Sequence, residues 1–244
     1  MNIEKVTILG VPVARLTMEE VLVWATDTVK EGKPAHVVTA NAEIIYRAHR
    51  DPRLGEILRQ AALVTADGSG VVWASRYLGA PAPERVTGVE LTERLLALAE
   101  EKGWGVYFLG AKQEVVEKAV KNVLTRHKGL KISGYRDGYF TKQENDQVMS
   151  NIDMGKPHIL LAALGSPKQE YFIRELQARF PIPLAIGVGG TFDVLAGTVQ
   201  RAPEWFQRHG LEWLYRLLKQ PSRFGRMLAL PRFVLAVFTQ KYFH

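Results

Sequence analysis

The chain has 244 residues, of which 47% are hydrophobic and 23% charged, a composition typical of a globular protein with a sizeable core. It contains no cysteine, which excludes disulfides, thiolate metal ligands and a cysteine nucleophile. The formal charge of +7 is uneven, because residues 196–244 hold eight Lys/Arg and two acidic residues, a net charge of +6. A basic segment of this kind favours an anionic partner, such as lipid headgroups, a diphosphate or nucleic acid.

The N-terminal sequence lacks a basic start followed by a long apolar run, so it predicts no signal peptide. No apolar run approaches the roughly 18–20 residues that a membrane-spanning helix needs. We therefore expect a cytoplasmic protein that contacts a membrane only peripherally.

Short apolar runs alternate with amphipathic segments through the first four-fifths of the chain. Strands are predicted at residues 6–9, 36–39, 63–66, 106–109, 131–135, 158–164 and 184–188. Helices are predicted at 18–32, 42–50, 71–78, 91–102, 113–127, 142–154 and 168–179, and the first begins with a capping box formed by Thr17 and Glu20. Continuous apolar strands that alternate with helices indicate an α/β fold, a Rossmann-like parallel sheet with helices on both faces.

The strand pattern stops after Gly197. Helical pieces are predicted at residues 203–209, 212–220, 222–230 and 232–242, separated by Gly210, Pro221 and Pro231. These pieces are basic and rich in aromatic residues. We therefore divide the chain into an α/β domain over residues 1–195 and a helical, basic C-terminal appendage over residues 196–244.

Small and polar residues follow five of the predicted strands, at the edge where open parallel sheets bind their ligands. Glycines such as Gly187, Gly189 and Gly190 allow backbone N–H groups to approach a phosphate, and helix N-termini favour anions. Turn and capping roles explain any one of these loops equally well. Five loops on one edge favour a nucleotide-type ligand; they are residues 39–43, 67–70, 110–112, 165–169 and 187–193.

The familiar nucleotide-binding fingerprints are missing from the sequence. Residues 187–192 lack the third glycine of the dinucleotide signature, which argues against a dehydrogenase, and no phosphate-loop motif occurs. No Asp-x-Asp sequence is present, and the histidines show no metal-ligand spacing. We therefore predict no cofactor and no metal, so that Arg, Lys and backbone dipoles must balance the charge of a leaving phosphate.

Asp67 is the strongest candidate for a general base, because it follows a buried strand and opens a helix whose N-terminus favours the ionised carboxylate. Capping that helix would explain the residue equally well. Thr39 stands at the matching place one strand earlier, where strand-end packing is the alternative. Arg85 lies on a loop long enough to reach the same edge, and a solvated surface charge is its alternative.

Seven ordered segments resemble the WecG/TagA/CpsF family of bacterial glycosyltransferases, and the resemblance covers nearly the whole chain. Within the family, the chain is most similar to the TagA branch, the N-acetylmannosaminyltransferases of wall teichoic acid synthesis. The segments are Thr39-Ala-Asn-Ala-Glu43, Ala66-Asp-Gly-Ser-Gly70, Pro83-Glu-Arg-Val-Thr-Gly88, Leu164-Gly-Ser-Pro-Lys-Gln-Glu170, Gly187-Val-Gly-Gly-Thr-Phe-Asp193, Gln200-Arg-Ala-Pro203 and Gly210-Leu-Glu-Trp-Leu-Tyr-Arg216.

This resemblance implies a metal-independent transfer of N-acetylmannosamine from UDP-N-acetylmannosamine, with inversion. The implied acceptor is the 4-hydroxyl of N-acetylglucosamine on undecaprenyl diphosphate, and the β-1,4-linked product is the linkage unit of wall teichoic acid. Asp67 then matches the general base and Thr39 a neighbouring catalytic position. The resemblance also implies pocket positions at Asn41, Arg85 and Gln169 and nucleotide contacts at Tyr139 and Asp193.

The family resemblance further implies an appendage that binds the membrane and helps to complete the active site. Arg216, Lys219, Arg223 and Arg226 are spaced by three, four and three residues, which puts them on one helix face if Pro221 does not interrupt it. The three arginines are candidates for contacts with a substrate diphosphate and with the anionic cytoplasmic surface of the membrane. A solvated basic face is the alternative.

Two other interpretations stay open at this point. The same fold could use another UDP-sugar as donor, with a uronic acid or glucose. A non-catalytic nucleic-acid-binding protein could also carry a basic aromatic tail. The aromatic residues lie among Leu, Met and Val, however, so we expect no nucleic-acid partner. The sequence leaves the oligomeric state open, including a homo-oligomer.

Overall fold

The computed structural model describes residues 2–219 and 224–243, without the side chains of residues 216, 224, 226 and 243. Its strands are β1 Lys5–Ile8, β2 Val11–Ala14, β3 Ala35–Ala40, β4 Leu63–Ala66, β5 Gly105–Gly110, β6 Lys131–Arg136, β7 Ile159–Ala163 and β8 Leu184–Gly187. Its helices are α1 Met18–Glu31, α2 Ala42–Arg50, α3 Pro52–Gln60, α4 Ser69–Tyr77, α5 Gly88–Lys102, α6 Gln113–Arg126, α7 Asn145–Met154, α8 Lys168–Arg179, α9 Thr191–Leu195, α10 Glu204–Arg208, α11 Glu212–Lys219, α12 Phe224–Met227 and α13 Ala229–Phe243. A short 3-10 helix, Lys142–Glu144, precedes α7.

Six strands form one parallel sheet in the order β4-β3-β8-β7-β5-β6. Successive side chains of a strand point to opposite faces of a sheet. Accordingly, Val37 joins the core cluster beneath α1, α5, α6 and α9, and Val38 joins the cluster beneath α2, α3 and α4. The predicted parallel α/β fold with helices on both faces is confirmed, as is the capping box of Thr17 and Glu20.

Two elements of the N-terminal half were absent from the sequence prediction. The first of them is β2, which forms an antiparallel hairpin with β1 outside the six-stranded sheet. Leu9 and Gly10 both have positive φ, which suits a tight turn between twisted strands. The second element is α3, which Asp51 caps by accepting hydrogen bonds from two backbone N–H groups before the proline that opens the helix.

The last helix runs through a proline that the sequence analysis treated as a break. Pro231 is the third residue of α13, where the backbone has no intrahelical partner for an N–H group. The predicted boundary at Pro231 was therefore wrong. Arg223 and the predicted break at Pro221 lie outside the described residues.

The last helix packs against the α/β body. Its Phe233 and Val237 are buried in the cluster that also holds residues of α2, α3 and α4. The Gln240 amide binds the first hairpin at both ends, accepting from the Leu9 N–H at 2.7 Å and donating to the Thr7 carbonyl at 2.8 Å. The division between residues 1–195 and 196–244 stays a prediction, and these contacts argue that the two parts are not independent.

Candidate active site

A cavity of about 260 Å³ opens at the carboxyl ends of β4, β3, β8 and β7. This is the edge at which parallel α/β sheets bind ligands. Six residues singled out in the sequence contribute to its wall: Thr39, Asn41, Asp67, Gln169, Gly189 and Gly190.

Asp67 is held by the start of a helix other than the one that follows it. The N-cap of α4 is Gly68, and no side chain caps that helix, so the capping role considered for Asp67 was wrong. Instead, Asp67 Oδ2 accepts a hydrogen bond of 3.0 Å from the N–H of Gly88, the first residue of α5. A helix N-terminus favours a negative charge. The contact therefore orients the carboxylate toward the start of α5.

Gly88 is a site residue that the sequence analysis missed. A Cβ atom at this position would lie 3.0 Å from Thr39 Oγ1 and 3.6 Å from Asp67 Oδ2. The absence of a side chain therefore lets the threonine hydroxyl and the aspartate carboxylate approach the same point. The Thr39 hydroxyl donates a hydrogen bond of 3.1 Å to the Gly187 carbonyl, which also connects β3 to the loop after β8.

Asn41 and Gln169 both hold backbone at the rim of the cavity. Asn41 Oδ1 accepts from the Ile44 N–H at 3.0 Å and caps α2. Gln169 is buried, and its Oε1 accepts from the Gly189 N–H at 3.2 Å. Each side chain thus has a structural task in addition to any contact with a ligand.

Arg201 lines the cavity and Arg85 does not, and both are paired with carboxylates. Arg85 forms an ion pair with Glu212 at the start of α11, and Arg201 pairs with Glu90 at 2.6 Å and with Glu212 at 3.6 Å. Burial raises the pKa of the Glu90 carboxyl, but the hydrogen bonds from Arg201 and Thr87 outweigh it, and the net pKa is lowered. The chain therefore arranges two cations around Glu212 at the cavity.

The C-terminal segment forms part of the cavity wall. Arg201, Glu212, Trp213, Met227 and Leu230 all line it. Gly210 makes this approach feasible, because its Cα lies so close to Ser69 that a Cβ would be 2.7 Å from the serine Cβ. The Ser69 hydroxyl in turn donates a hydrogen bond of 2.8 Å to the Gly210 carbonyl.

Several predicted site residues do not line the cavity. Tyr139 is 74% exposed in the segment after β6, and Asp193 lies on α9 with its carbonyl bound to Thr198 and Val199. Gly187 lies beneath the wall, packed against Gln169. The backbone of Arg216 and Arg226 is helical, but their side chains and the whole of Arg223 lie outside the described part of the chain.

The residues that the structure describes contain neither a cluster of metal ligands nor a membrane-spanning helix. Within 2–219 and 224–243, no three His, Asp or Glu side chains are grouped as a metal site would require. Over that part of the chain, no helix is both long and apolar enough to cross a membrane.

A carboxylate, a hydroxyl and glycine loops thus meet at one edge of the parallel sheet, the place where such folds bind their ligands. Residues 6–244 match the glycosyl transferase WecG/TagA/CpsF family, and the chain belongs to that family. The resemblance found in the sequence is thereby confirmed.

The chain is similar to two proteins that share the name N-acetylglucosaminyldiphosphoundecaprenol N-acetyl-beta-D-mannosaminyltransferase. The one from Bacillus spizizenii is 41% identical over 212 residues, which cover 87% of this chain and 82% of the relative. The one from Bacillus subtilis is 36% identical over 207 residues, which cover 85% of this chain and 80% of the relative.

Proposed function

We propose that this chain transfers N-acetylmannosamine from UDP-N-acetylmannosamine to N-acetylglucosaminyl-diphospho-undecaprenol. The expected product carries a β-1,4 linkage and is the linkage unit of wall teichoic acid. The observation that carries the proposal is the meeting of Asp67, Thr39 and Gln169 at one cavity, in a chain so similar to two enzymes named for this acceptor.

Asp67 serves as the general base in this proposal. The acceptor 4-hydroxyl attacks C1 of the donor sugar, its proton passes to the Asp67 carboxylate, and the bond from C1 to the UDP oxygen breaks with inversion. The Gly88 N–H supports this role, because its hydrogen bond orients the Asp67 carboxylate in the wall of the cavity. Thr39 lies beside the base and positions the acceptor or the donor.

The leaving UDP carries negative charge that protein cations must balance. Arg201 lines the cavity, and Arg85 is joined to it through Glu212. Arg216, Arg223 and Arg226 are proposed to add further positive charge from the appendage, and Asn41, Tyr139, Asp193 and the 187–190 loop to contact the donor. No metal or cofactor takes part in this proposal.

The acceptor is a membrane lipid, so the enzyme is proposed to work at the cytoplasmic face of the membrane as a peripheral protein. Exposed apolar side chains in the C-terminal segment support this placement, among them Trp205, Leu228, Leu235 and Tyr242. Together with a net charge of +6 over residues 196–244, they match a surface that is both anionic and apolar. A nucleic-acid partner is not part of the proposal, and self-association stays open.

The test is a transfer assay with the full chain, UDP-N-acetylmannosamine and a short-chain lipid diphosphate that carries N-acetylglucosamine. UDP release and the mass of a lipid-linked disaccharide are expected only when donor and acceptor are both present. Donors with glucose, N-acetylglucosamine or N-acetylmannosaminuronate are the controls. Faster transfer from one of these donors would show that its sugar, and not N-acetylmannosamine, is the one that the enzyme prefers.

Asp67→Asn is the matched variant, because the amide oxygen of asparagine can still accept the hydrogen bond from Gly88. The variant is expected to fold and to bind UDP like the original chain, while turnover falls by ~10²–10⁴. Near-normal turnover would remove Asp67 from the role of base.

A further inference from the structure

Glu170 is a fully buried carboxyl group just behind the cavity wall. It is 0% exposed on the first turn of α8, and burial raises its pKa. Its Oε1 accepts a hydrogen bond of 2.9 Å from Gln169 Nε2, while Oε2 has no hydrogen-bond partner among the residues that the structure describes. Besides Gln169, the backbone of Glu170 itself, Ser166 and the charge of Arg47 offset the burial only in part, since the net pKa is raised. Burying a carboxyl at this net cost to the fold indicates a task other than stability.

The contact with Glu170 determines which way the Gln169 amide points. Nε2 donates to Glu170, so Oε1 faces and accepts from the Gly189 N–H. In the reversed orientation, the amide NH₂ would face the Gly189 N–H, and two donors would oppose each other. The carboxyl therefore favours the orientation that binds Gly189.

The amide also fits a space that a glycine leaves open. A Cβ at Gly187 would lie 2.5 Å from Gln169 Nε2 and 2.9 Å from its Cδ. On the other side of the loop, the Gly187 carbonyl accepts from the Thr39 hydroxyl. Residues 187–190 are thus held between Gln169 and Thr39, and two of them, Gly189 and Gly190, line the cavity.

We infer that Glu170 is a positioning residue that fixes the Gln169 amide, and through it the 187–190 backbone that borders the nucleoside-diphosphate-sugar site. This inference rests on the proposed function, because the ligand of the loop is the donor. Glu170 itself does not touch the reacting atoms. Its effect is expected in donor binding rather than in the proton transfer at Asp67.

Three variants separate positioning from a merely structural role. Glu170→Leu removes the acceptor and keeps a side chain of similar size, and Glu170→Gln keeps an acceptor oxygen. Ile173→Val trims a fully buried residue of the same helix and is the control for core damage. Measured quantities are the KM for the UDP-sugar, kcat, the thermal midpoint and amide hydrogen exchange of residues 187–190 without ligand.

Glu170→Leu is expected to keep or raise the thermal midpoint, because an apolar group replaces a poorly compensated buried carboxyl. Its KM for the donor should rise by about tenfold, the effect of losing one buried hydrogen bond, with a smaller change in kcat. Exchange at residues 187–190 should become faster. Glu170→Gln should restore KM and exchange, and Ile173→Val should lower the midpoint alone.

A normal KM and normal exchange in a folded Glu170→Leu variant would overturn the inference. If that variant does not fold, Gly187→Ala displaces the same amide from the opposite side and is expected to raise KM and exchange in the same way; unchanged values there would equally overturn it. An original chain that transfers no sugar from any UDP donor would refute the proposed function, while the exchange measurements would still decide the role of Glu170.

Discussion

Replacing Phe233 by alanine tests whether the last helix belongs to the core of the α/β body. Phe233 is 1% exposed and lies in the cluster beneath α2, α3 and α4. Leu235, two residues further along α13, is 66% exposed. The two positions share one helix and differ in burial, so Leu235→Ala is the matched control.

The expected magnitudes follow from burial. Truncating a buried phenylalanine to alanine costs about 3–5 kcal/mol, because apolar contacts are lost and a cavity remains. For a chain of this length each kcal/mol shifts the unfolding midpoint by roughly 2–4 °C, so Phe233→Ala should lower Tm by ~6–20 °C. Leu235→Ala should change the free energy of unfolding by no more than about 0.5 kcal/mol.

Thermal and urea unfolding followed by circular dichroism measure both variants. A Phe233→Ala variant as stable as Leu235→Ala would refute the reasoning and would favour a body that folds without residues 196–244. If Phe233→Ala lowers the stability by the expected amount, a chain that ends at residue 195 should expose the apolar cluster beneath α2, α3 and α4. That shortened chain should then unfold at a lower temperature than the full chain.

Further outcomes are expected at the site and at the appendage. Gly88→Ala should lower kcat with little change in Tm, because its Cβ would press on Thr39 Oγ1 at 3.0 Å; normal kcat would count against a close pairing of Thr39 with the base. Glu212→Gln should destabilise the chain by about 1–3 kcal/mol in urea unfolding, because Arg85 and Arg201 lose a shared charge, and an unchanged midpoint would contradict this. Saturating chelator should leave the transfer rate unchanged, whereas a rate that collapses and recovers with Mg²⁺ or Mn²⁺ would refute metal independence. Arg226→Glu should weaken binding to anionic vesicles in a salt-dependent way, by ~1 kcal/mol or more in a sedimentation assay, and salt-independent binding would argue against an electrostatic contact.

Local signals account for most of what the sequence predicted correctly. The strand at residues 63–66 and the helix at 42–50 agree with the structure to the residue, because each is an apolar or amphipathic run with clear boundaries. The edge of the sheet that carries the cavity followed from the general placement of ligands at strand ends. Pro231 misled the prediction, because a proline in the first turn of a helix looks the same in the sequence as one that ends it.

The site was predicted only as far as each residue could be judged from its own neighbours. The pairing of Arg85 with Glu212 joins positions 127 residues apart, and no local sequence pattern predicts it. Gly88 and Glu170 were quoted within motifs, but their roles depend on Thr39 and Gln169 in three dimensions. The structure places Asp67 in the cavity wall, and its role as base stays a prediction. Its contact with the N-terminus of α5 could not be derived from the sequence around α4, the helix that follows Asp67.

The hydrogen bonds between Gln240 and the first hairpin set an order of events for the growing chain. They join residues separated by 231 and 233 positions in the sequence. At ~5–20 residues per second, about 10–50 s pass between the synthesis of the hairpin and that of its last partner. Through that interval the apolar surface that later receives Phe233 and Val237 has no covering helix. Completion of the core thus waits until residues 229–243 have been synthesised, and the nascent enzyme depends on protection from aggregation until then.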